Sequence, residues 1–306
     1  MRAFIFPGQG SQSVGMGKAL AQASATAREL FEEVDEALGQ NLSRLMAEGP
    51  IEELTLTENA QPAIMANALA TFCVSAIDIA KADYVAGHSL GEYSALAAAG
   101  SFDVATTARL LKLRGQAMQA AVPVGEGAMA ALLGADLAAA RAVAEEAAEG
   151  EVCAVANDND PSQVVISGHR RAVERALEIA KAKGAKRAVL LPVSAPFHSP
   201  LMEPAAHAME QALGDAQIAE PAVPLYANVT AAPVSDPAEI RRLLVAQVTG
   251  MVRWRESIAA MAEAGVGHFV EFGGKVLAPM VKRIAPDARV TSVVTMDDID
   301  ALVKDV

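Results

Sequence analysis

The sequence has few cysteines, few aromatic residues and too few basic residues to balance its acidic ones. Its 306 residues include 2 cysteines, and 37 Asp and Glu stand against 25 Lys and Arg, which gives a formal net charge of −12. Nucleic-acid phosphates and anionic membrane surfaces are bound by a surplus of basic residues, so we expect neither as a partner. An acidic protein partner would have to be bound through a local basic patch.

The scarcity of cysteine also bears on location. Cys73 and Cys153 lie in apolar stretches without C-x-x-C spacing, so we predict two buried small side chains rather than a disulfide. The first apolar run, residues 3–6, ends at Pro7-Gly8 and is too short for a signal-peptide core. No apolar run approaches membrane-spanning length. These features predict a cytoplasmic protein.

Strand-like and helix-like segments alternate along the chain. This alternation predicts an α/β protein in which helices cover a mostly parallel sheet. The strand-like runs are 3–6, 83–86, 266–272 and 289–294, and the amphipathic segments include 61–77, 103–120 and 253–264.

A different rhythm between the two halves of this pattern predicts an inserted subdomain. Its order is β-α-β-β-α-β, which is ferredoxin-like. We therefore predict a large core from 1–124 and 194–306, a small subdomain at 125–193, and a ligand cleft between them. The predicted elements are strands 128–133, 152–156, 163–167 and 187–191, helices 136–148 and 170–183, and a turn at 158–161.

A G-x-S-x-G motif at residues 87–91 follows the strand-like run 83–86. In this context the motif is typical of a nucleophile elbow, where a strained turn lifts a serine hydroxyl off the end of a strand. Gly87 and Gly91 would let strand and helix approach without a Cβ clash. The helix predicted at 90–99 would direct backbone N–H groups at the group that Ser89 attacks.

A serine nucleophile needs a base, and the chain offers five histidines. His198 is the preferred candidate, because it lies in a loop at the subdomain junction that Pro196 and Pro200 stiffen. His88 adjoins Ser89, but neighbours in an extended segment point to opposite faces. The remaining histidines are predicted to be surface or packing residues, and they are His169, His207 and His268.

Arg114 is unusual because the helical pattern of 103–121 puts it on the apolar face with Leu111 and Met118. A buried guanidinium stays charged and needs an anion, and its planar fork suits a carboxylate held by two hydrogen bonds. The alternatives are an ion pair within the protein or a side chain that reaches water.

The loop at residues 7–12 contains glycines that would allow a backbone N–H to approach a reacting group. It lacks the spacing of a phosphate-binding loop. No His, Cys and Asp cluster has metal-ligand spacing either. We expect no metal and no bound cofactor.

Taken in order along the chain, these motifs resemble malonyl-CoA:acyl carrier protein transacylases, from the acyltransferase family of fatty acid and polyketide synthesis. The resemblance covers nearly the whole sequence. It implies an α/β-hydrolase-like large subdomain with a ferredoxin-like insertion, in agreement with the pattern above. The matching segments are 6–12, 87–93, 113–119, Asn157, 163–168 and 196–199.

The resemblance also implies roles for individual residues. Ser89 would be the nucleophile, His198 the base, and Arg114 the clamp for the malonyl carboxylate. The backbone N–H groups of Gln9 and Leu90 would form the oxyanion hole.

Two further roles come from the same resemblance. A main-chain carbonyl near Gln247, rather than an aspartate, would orient the histidine. The bulky Phe197 resembles the malonyl-selective form of its segment, which favours malonyl over methylmalonyl groups.

The implied reaction moves a malonyl group from malonyl-CoA to acyl carrier protein for fatty acid synthesis, in a monomeric enzyme. A polyketide loading acyltransferase, a serine thioesterase or hydrolase, and a non-catalytic carrier-binding module are the alternatives. Carrier proteins are acidic, so basic residues of the small subdomain are a candidate docking patch. They are Arg170, Arg171, Lys181, Lys183, Lys186 and Arg187.

Overall fold

Two β-sheets organise the chain in the computed structural model, which describes residues Met1–Val306. One sheet has six strands and the other has four, and helices accompany both. The four-stranded sheet is built from one continuous segment inside the chain. The predicted α/β fold with an inserted smaller unit is therefore confirmed.

The chain up to residue 120 supplies two strands and most of the helices that cover the larger sheet. A short 3-10 turn at Ile79–Lys81 precedes the second strand. The elements are β1 (Arg2–Phe6), α1 (Lys18–Ala23), α2 (Ala25–Leu38), α3 (Leu42–Glu48), α4 (Ile51–Thr55), α5 (Thr57–Ser75), β2 (Tyr84–Gly87), α6 (Gly91–Ala98) and α7 (Val104–Ala120).

The inserted segment forms an antiparallel sheet in the order β4-β5-β3-β6, with two helices packed on a shared apolar core. This order is that of a ferredoxin-like fold. The turn predicted at 158–161 is wrong, because β4 continues to Asp160 through two register shifts against β5. The elements are β3 (Gly127–Leu133), α8 (Leu137–Ala148), β4 (Cys153–Asp160), β5 (Gln163–His169), α9 (Arg170–Ala182) and β6 (Arg187–Leu190).

The chain then returns to the larger sheet. A 3-10 turn at Pro200–Met202 leads into the first of the remaining helices. Two strands of three residues each, β7 and β8, were not predicted. The elements are α10 (Glu203–Asp215), β7 (Leu225–Ala227), β8 (Ala232–Val234), α11 (Pro237–Thr249), α12 (Trp254–Glu263), β9 (His268–Phe272), α13 (Ala278–Ile284), β10 (Arg289–Val293) and α14 (Met296–Val303).

The six-stranded sheet has the order β10-β9-β1-β2-β7-β8, and every pair is parallel except β7 with β8. Phe4 and Phe6 of β1 pack against Phe72 and Phe272 in an aromatic cluster. Because parallel strands end at one edge, the loops after β1 and β2 meet there. This edge carries the candidate site.

Contacts join β4 of the small unit to the large one. The N–H of Asp158 donates to the carbonyl of Val252 over 2.9 Å, and the N–H of Val252 donates to Ala156 over 2.8 Å. The side chains of Asp158 and Asp160 are buried and form ion pairs with Arg255 and Arg283 of the large unit, each at 2.8 Å.

The prediction of two buried cysteines is wrong. Cys73 is exposed and Cys153 is half-buried. Cys73 lies in the last turn of α5, where the helix leaves the core that encloses its middle. None of the helices has both the length and the apolar character needed to cross a bilayer.

Candidate active site

Ser89 occupies a sharp turn between β2 and α6, as a nucleophile elbow requires. Its φ is 54°, in the left-handed region that non-glycine residues rarely adopt. A Cβ on Gly87 would lie 1.9 Å from the Gly91 carbonyl, and one on Gly91 would lie 2.3 Å from the Phe6 carbonyl. The predicted reason for both glycines is confirmed, because no side chain fits at either position.

His198 stands beside this serine. Its Nε2 lies 2.7 Å from Ser89 Oγ, while its Nδ1 lies 2.9 Å from the Gln247 carbonyl and 3.1 Å from the Gly250 carbonyl. Carbonyls only accept hydrogen bonds, so Nδ1 carries the proton and Nε2 is left as the acceptor for the serine hydroxyl. The Gln247 carbonyl therefore has the position that the family resemblance implied, and Gly250 adds a second one.

The surroundings of His198 keep it neutral. Burial, together with the positive charge of Arg114, lowers its pKa to about 3. A neutral imidazole at ordinary pH can take a proton from Ser89. The arrangement is thus that of a serine with its base in place.

Arg114 is buried, with 1% of its surface exposed. Its Nη1 donates to Gln61 Oε1 over 2.7 Å, and its Nη2 donates to Gln247 Oε1 over 2.7 Å and to Ser89 Oγ over 3.1 Å. All of these partners are neutral, and Arg114 takes part in no salt bridge. Neither alternative interpretation, a direct ion pair or a side chain that reaches water, holds.

The two backbone N–H groups suggested for the oxyanion hole have no hydrogen-bond acceptor within the protein. Leu90 is the first residue after the serine and is 1% exposed. The side chain of Gln9 is held by Thr57, whose hydroxyl donates to it over 3.3 Å. Unpaired N–H groups at this place are available to a substrate oxygen.

A cavity of about 350 Å³ brings the predicted residues together. Residues of both subdomains line it, so the predicted interdomain cleft is present as a cavity. Phe197 forms part of its wall and is 7% exposed. Gln247 does not line the cavity but lies behind Arg114. The predicted residues in the lining are Gln9, Ser89, Leu90, Arg114, Phe197 and His198.

Three residues at the site were not found from the sequence. Asn228 accepts the Ser89 N–H over 2.8 Å and donates to the Gly87 carbonyl over 2.7 Å. The side-chain oxygen of Asn159 accepts a hydrogen bond from His88 Nε2 over 2.8 Å, and Gln61 holds Arg114. Asn159 could have been suspected, since it stands two places after Asn157, whereas no local signal marks Asn228 or Gln61.

Three of the other histidines lie away from the cavity. His169 is at the N-cap position of α9 without a side-chain cap, His207 is exposed, and His268 is hydrogen-bonded to Thr291 within the large sheet. His88 lines the cavity but faces Asn159 rather than Ser89. No group of three or more His, Cys, Asp and Glu side chains is arranged to hold a metal ion.

A parallel α/β core with a serine at an elbow and a histidine beside it defines the class of serine-dependent acyl-group enzymes. Within that class, the chain belongs to the acyl transferase domain family, whose model matches residues 3–281.

Named relatives and solved structures agree with this membership. A malonyl CoA-acyl carrier protein transacylase of Bacillus subtilis (strain 168) is 46% identical over 92% of this chain and 90% of its own. The crystal structure of an acyl-carrier-protein S-malonyltransferase from Bartonella henselae is 53% identical, with a TM-score of 0.97 over 99% of this chain and 98% of that one. A second structure, a type II PKS acyl-carrier protein in complex with its malonyl-transacylase, is 39% identical with a TM-score of 0.96, covering 100% of this chain and 99% of that one.

Proposed function

We propose that the protein transfers a malonyl group from malonyl-CoA to the phosphopantetheine thiol of acyl carrier protein, through a malonyl ester on Ser89. The observation that carries this proposal is the buried guanidinium of Arg114, 3.1 Å from the serine oxygen and without an anionic partner in direct contact. A buried cation so placed favours an acyl group that ends in a carboxylate. The names of the relatives support the same substrate.

The first half of the reaction acylates the serine. His198 Nε2 takes the hydroxyl proton as Ser89 Oγ bonds to the thioester carbon, and the free N–H groups of Gln9 and Leu90 stabilise the oxyanion. Arg114 holds the malonyl carboxylate in the cavity. The C–S bond then breaks, and coenzyme A leaves with the proton that His198 held.

The second half runs in reverse. His198 takes the proton of the carrier's thiol, and the sulfur attacks the ester carbon of malonyl-Ser89. The C–O bond breaks, Ser89 regains the proton, and malonyl-carrier leaves. We propose that this occurs in the cytoplasm, in a monomer that needs no bound cofactor and no membrane.

Two kinds of carrier protein are candidates for receiving the malonyl group. One solved relative is a complex with the carrier protein of a type II polyketide synthase, which supports a polyketide carrier as an alternative to that of fatty acid synthesis. The chemistry at Ser89 is the same in both cases.

Intact-mass measurement after mixing with malonyl-CoA tests the proposal, followed by a chase with holo acyl carrier protein. We expect a malonyl adduct that maps to Ser89, persists in water and disappears when carrier is added. An adduct that water alone removes would indicate a hydrolase, and the absence of any adduct would contradict acyl transfer.

A further inference from the structure

Glu92 is a buried carboxylate that takes no part in the reaction steps described above. It lies in the first turn of α6, three residues after Ser89, and is 2% exposed. It takes part in no salt bridge, although ionised side chains are rarely buried without a charged partner. Its contacts therefore need an explanation.

Both oxygens of Glu92 accept hydrogen bonds from residues that touch the site. One accepts the Asn228 backbone N–H over 2.9 Å, and the other accepts the side-chain amide of Gln247. The opposite end of the same Gln247 amide accepts Arg114 Nη2 over 2.7 Å. A single glutamine side chain thus separates the buried carboxylate from the buried guanidinium.

The orientation of Gln247 follows from this arrangement. A guanidinium only donates and a carboxylate only accepts, so the amide oxygen must face Arg114 and the NH₂ group must face Glu92. The NH₂ group also donates to the Ser89 carbonyl over 2.9 Å. Arg114 on one side, and Glu92 with the Ser89 carbonyl on the other, fix the orientation of the Gln247 amide.

We propose that Glu92 is the counter-charge of Arg114, held one side chain away so that the guanidinium stays fixed but remains free to bind a substrate carboxylate. This inference rests on the proposed function, in which that carboxylate belongs to the malonyl group. A glutamate in direct contact would occupy the N–H groups that the substrate needs. With Gln247 between them, Glu92 compensates the positive charge of Arg114 without contacting it. The Arg114 Nε–H has no hydrogen-bond partner in the protein. Glu92 is a positioning residue.

The inference predicts a selective defect in Glu92→Gln. The new side chain can accept from the fixed Asn228 N–H with its oxygen, which leaves its NH₂ group facing the NH₂ group of Gln247. Gln247 must then turn or move, so Arg114 loses its Gln247 acceptor and the Ser89 carbonyl loses a donor. The contacts of the Ser89 N–H with Asn228 and of the Ser89 hydroxyl with His198 remain. The variant should therefore bind the substrate carboxylate less well and keep the reactivity of the Ser89 hydroxyl.

The test compares two reactions of the same serine at pH 8. Burial raises the pKa of Glu92 to about 7 against the opposing effects of Asn228, Gln247 and Arg114, so the wild-type group is ionised there. We expect the kcat/KM for malonyl-CoA to fall about 10- to 100-fold in Glu92→Gln, the value of one charge-assisted hydrogen bond. Labelling of Ser89 by phenylmethanesulfonyl fluoride, an uncharged serine reagent, should stay near the wild-type rate.

The same experiment includes a control variant with an exposed glutamate replaced. Glu52→Gln, an exposed first-turn glutamate of α4, should change neither rate. Equal losses of malonyl transfer and labelling would overturn the inference in favour of a purely structural Glu92, and so would two unchanged rates. Failure of the wild-type protein to take up malonyl groups would contradict the proposed function instead.

A second variant decides the question if Glu92→Gln does not fold. In Glu92→Gln with Gln247→Glu, the new amide donates to a carboxylate that contacts Arg114 directly. The buried charge is kept but moved, and the Ser89 carbonyl loses the donor that Gln247 supplied. We expect this protein to fold and to label at Ser89, yet to use malonyl-CoA poorly, because its own carboxylate competes with the substrate. Wild-type use of malonyl-CoA would overturn the inference.

Discussion

Ser89 and His198 share an uncommon backbone conformation. Their φ angles are 54° and 53°, and only five non-glycine residues of the chain have positive φ. Such conformations cost about 1–3 kcal/mol each and persist where the surrounding structure enforces them. Here Asn228 holds the serine, and the carbonyls of Gln247 and Gly250 hold the histidine. The dyad geometry is thus fixed before any substrate binds.

Arg114→Ala should narrow or invert the preference for malonyl over acetyl groups. A buried charge that loses its partner costs about 3–5 kcal/mol. This corresponds to about two to three and a half powers of ten in the ratio of kcat/KM values for malonyl-CoA and acetyl-CoA. Measuring both values for variant and wild type tests the assignment.

Arg109→Ala is the matched control, because Arg109 lies on the exposed face of the same helix. It should leave the ratio unchanged. A malonyl preference that survived in Arg114→Ala would remove Arg114 from the role of carboxylate clamp.

The pH dependence of Ser89 reactivity towards an uncharged reagent should reflect the unusual state of His198. An ordinary histidine has a pKa near 6.5 and would lose half its basic form there. Burial and Arg114 lower the pKa of His198 to about 3, so the active neutral form persists at every pH above that value. We expect the rate of Ser89 labelling by phenylmethanesulfonyl fluoride, which the charge of Glu92 should not affect, to stay level from pH 8 to pH 5 in stopped-flow or mass measurements, and an acid limb near 6.5 would contradict this.

The lowered pKa of His198 also makes the stability of the folded protein depend on pH. Between pH 6.5 and 3 the unfolded chain protonates this histidine and the folded protein does not, so stability falls as the pH falls. Relative to His198→Gln, wild-type protein should therefore lose stability on acidification, by at most about 5 kcal/mol over that window.

At the scale of elements, the elbow was predictable because its determinants are local. The order strand, glycine, serine, glycine and helix is contiguous, and the steric need for each glycine follows from it. In the same way, alternation predicted β1, β2, β9 and β10 to within two residues at each end. The ferredoxin-like order was equally readable, since each of its elements has its own periodicity.

Other parts of the site depend on contacts far apart in the chain. Asn228 is separated from Ser89 by 139 residues, and Gln61 from Arg114 by 53. Asn228 follows β7, a strand of three residues with too few positions for an alternating pattern. Neither residue type is unusual in its own segment. Their roles depend on tertiary contacts, between β7 and the elbow for Asn228 and between α5 and α7 for Gln61.

Gly91→Ala tests the elbow as a joint between elements. The added Cβ would lie 2.3 Å from the Phe6 carbonyl and 2.9 Å from that of Pro7, so α6 and the end of β1 must separate. We expect a loss of about 1–3 kcal/mol in unfolding free energy and a clear loss of Ser89 labelling. Denaturant melts and adduct mass measure the two effects.

Gly214→Ala provides the opposite case within α10. A Cβ there meets no atom within 4 Å, so the substitution should stabilise the protein by about 0.4–1 kcal/mol through the unfolded chain. Similar results for the two variants would show that close approach is not the reason for Gly91.

At the scale of the whole molecule, two ion pairs join the subdomains beside the cavity. The carboxylates of Asp158 and Asp160 are 1% and 0% exposed, while Arg255 and Arg283 are 32% and 46% exposed. These aspartates alternate along β4 with Asn157 and Asn159, which line the cavity. The pairs therefore hold one wall of the site against the large subdomain.

Replacing both arginines by alanine should loosen that wall, because it leaves two buried carboxylates unpaired. One such loss costs up to about 3–5 kcal/mol for fully buried partners, and less is expected here because the arginines are partly exposed. We expect a lower melting temperature and a higher KM for malonyl-CoA. Arg242→Ala, which breaks an exposed pair with Glu239, should leave the melting temperature and the KM close to their wild-type values, because exposed ion pairs contribute little to stability.

The net charge of −12 raises the question of how an acidic carrier protein approaches. The structure divides the candidate docking patch in two. Arg170, Lys181 and Lys183 are paired with glutamates of the same subdomain. The remaining three, Arg171, Lys186 and Arg187, are exposed and form no ion pair. Two of them lie at β6, and the chain that follows it, Leu191 to Val193, lines the cavity. The unpaired set is therefore the better candidate for the docking patch.

Reversing Arg171, Lys186 and Arg187 to glutamate should slow malonyl transfer to the carrier without slowing Ser89 acylation by malonyl-CoA. Complementary charge mainly raises the association rate, by about 10-fold or more at low salt, and this gain is screened as salt increases. In wild-type protein the second half-reaction should therefore weaken with added salt, and in the triple variant it should be slow and nearly independent of salt. Reversal of the already paired Arg170, Lys181 and Lys183 is the matched control and should have the smaller effect. Transfer rates with an unaltered salt dependence in the first variant would place carrier docking on another surface, since a steering patch cannot lose its charge and keep its screening.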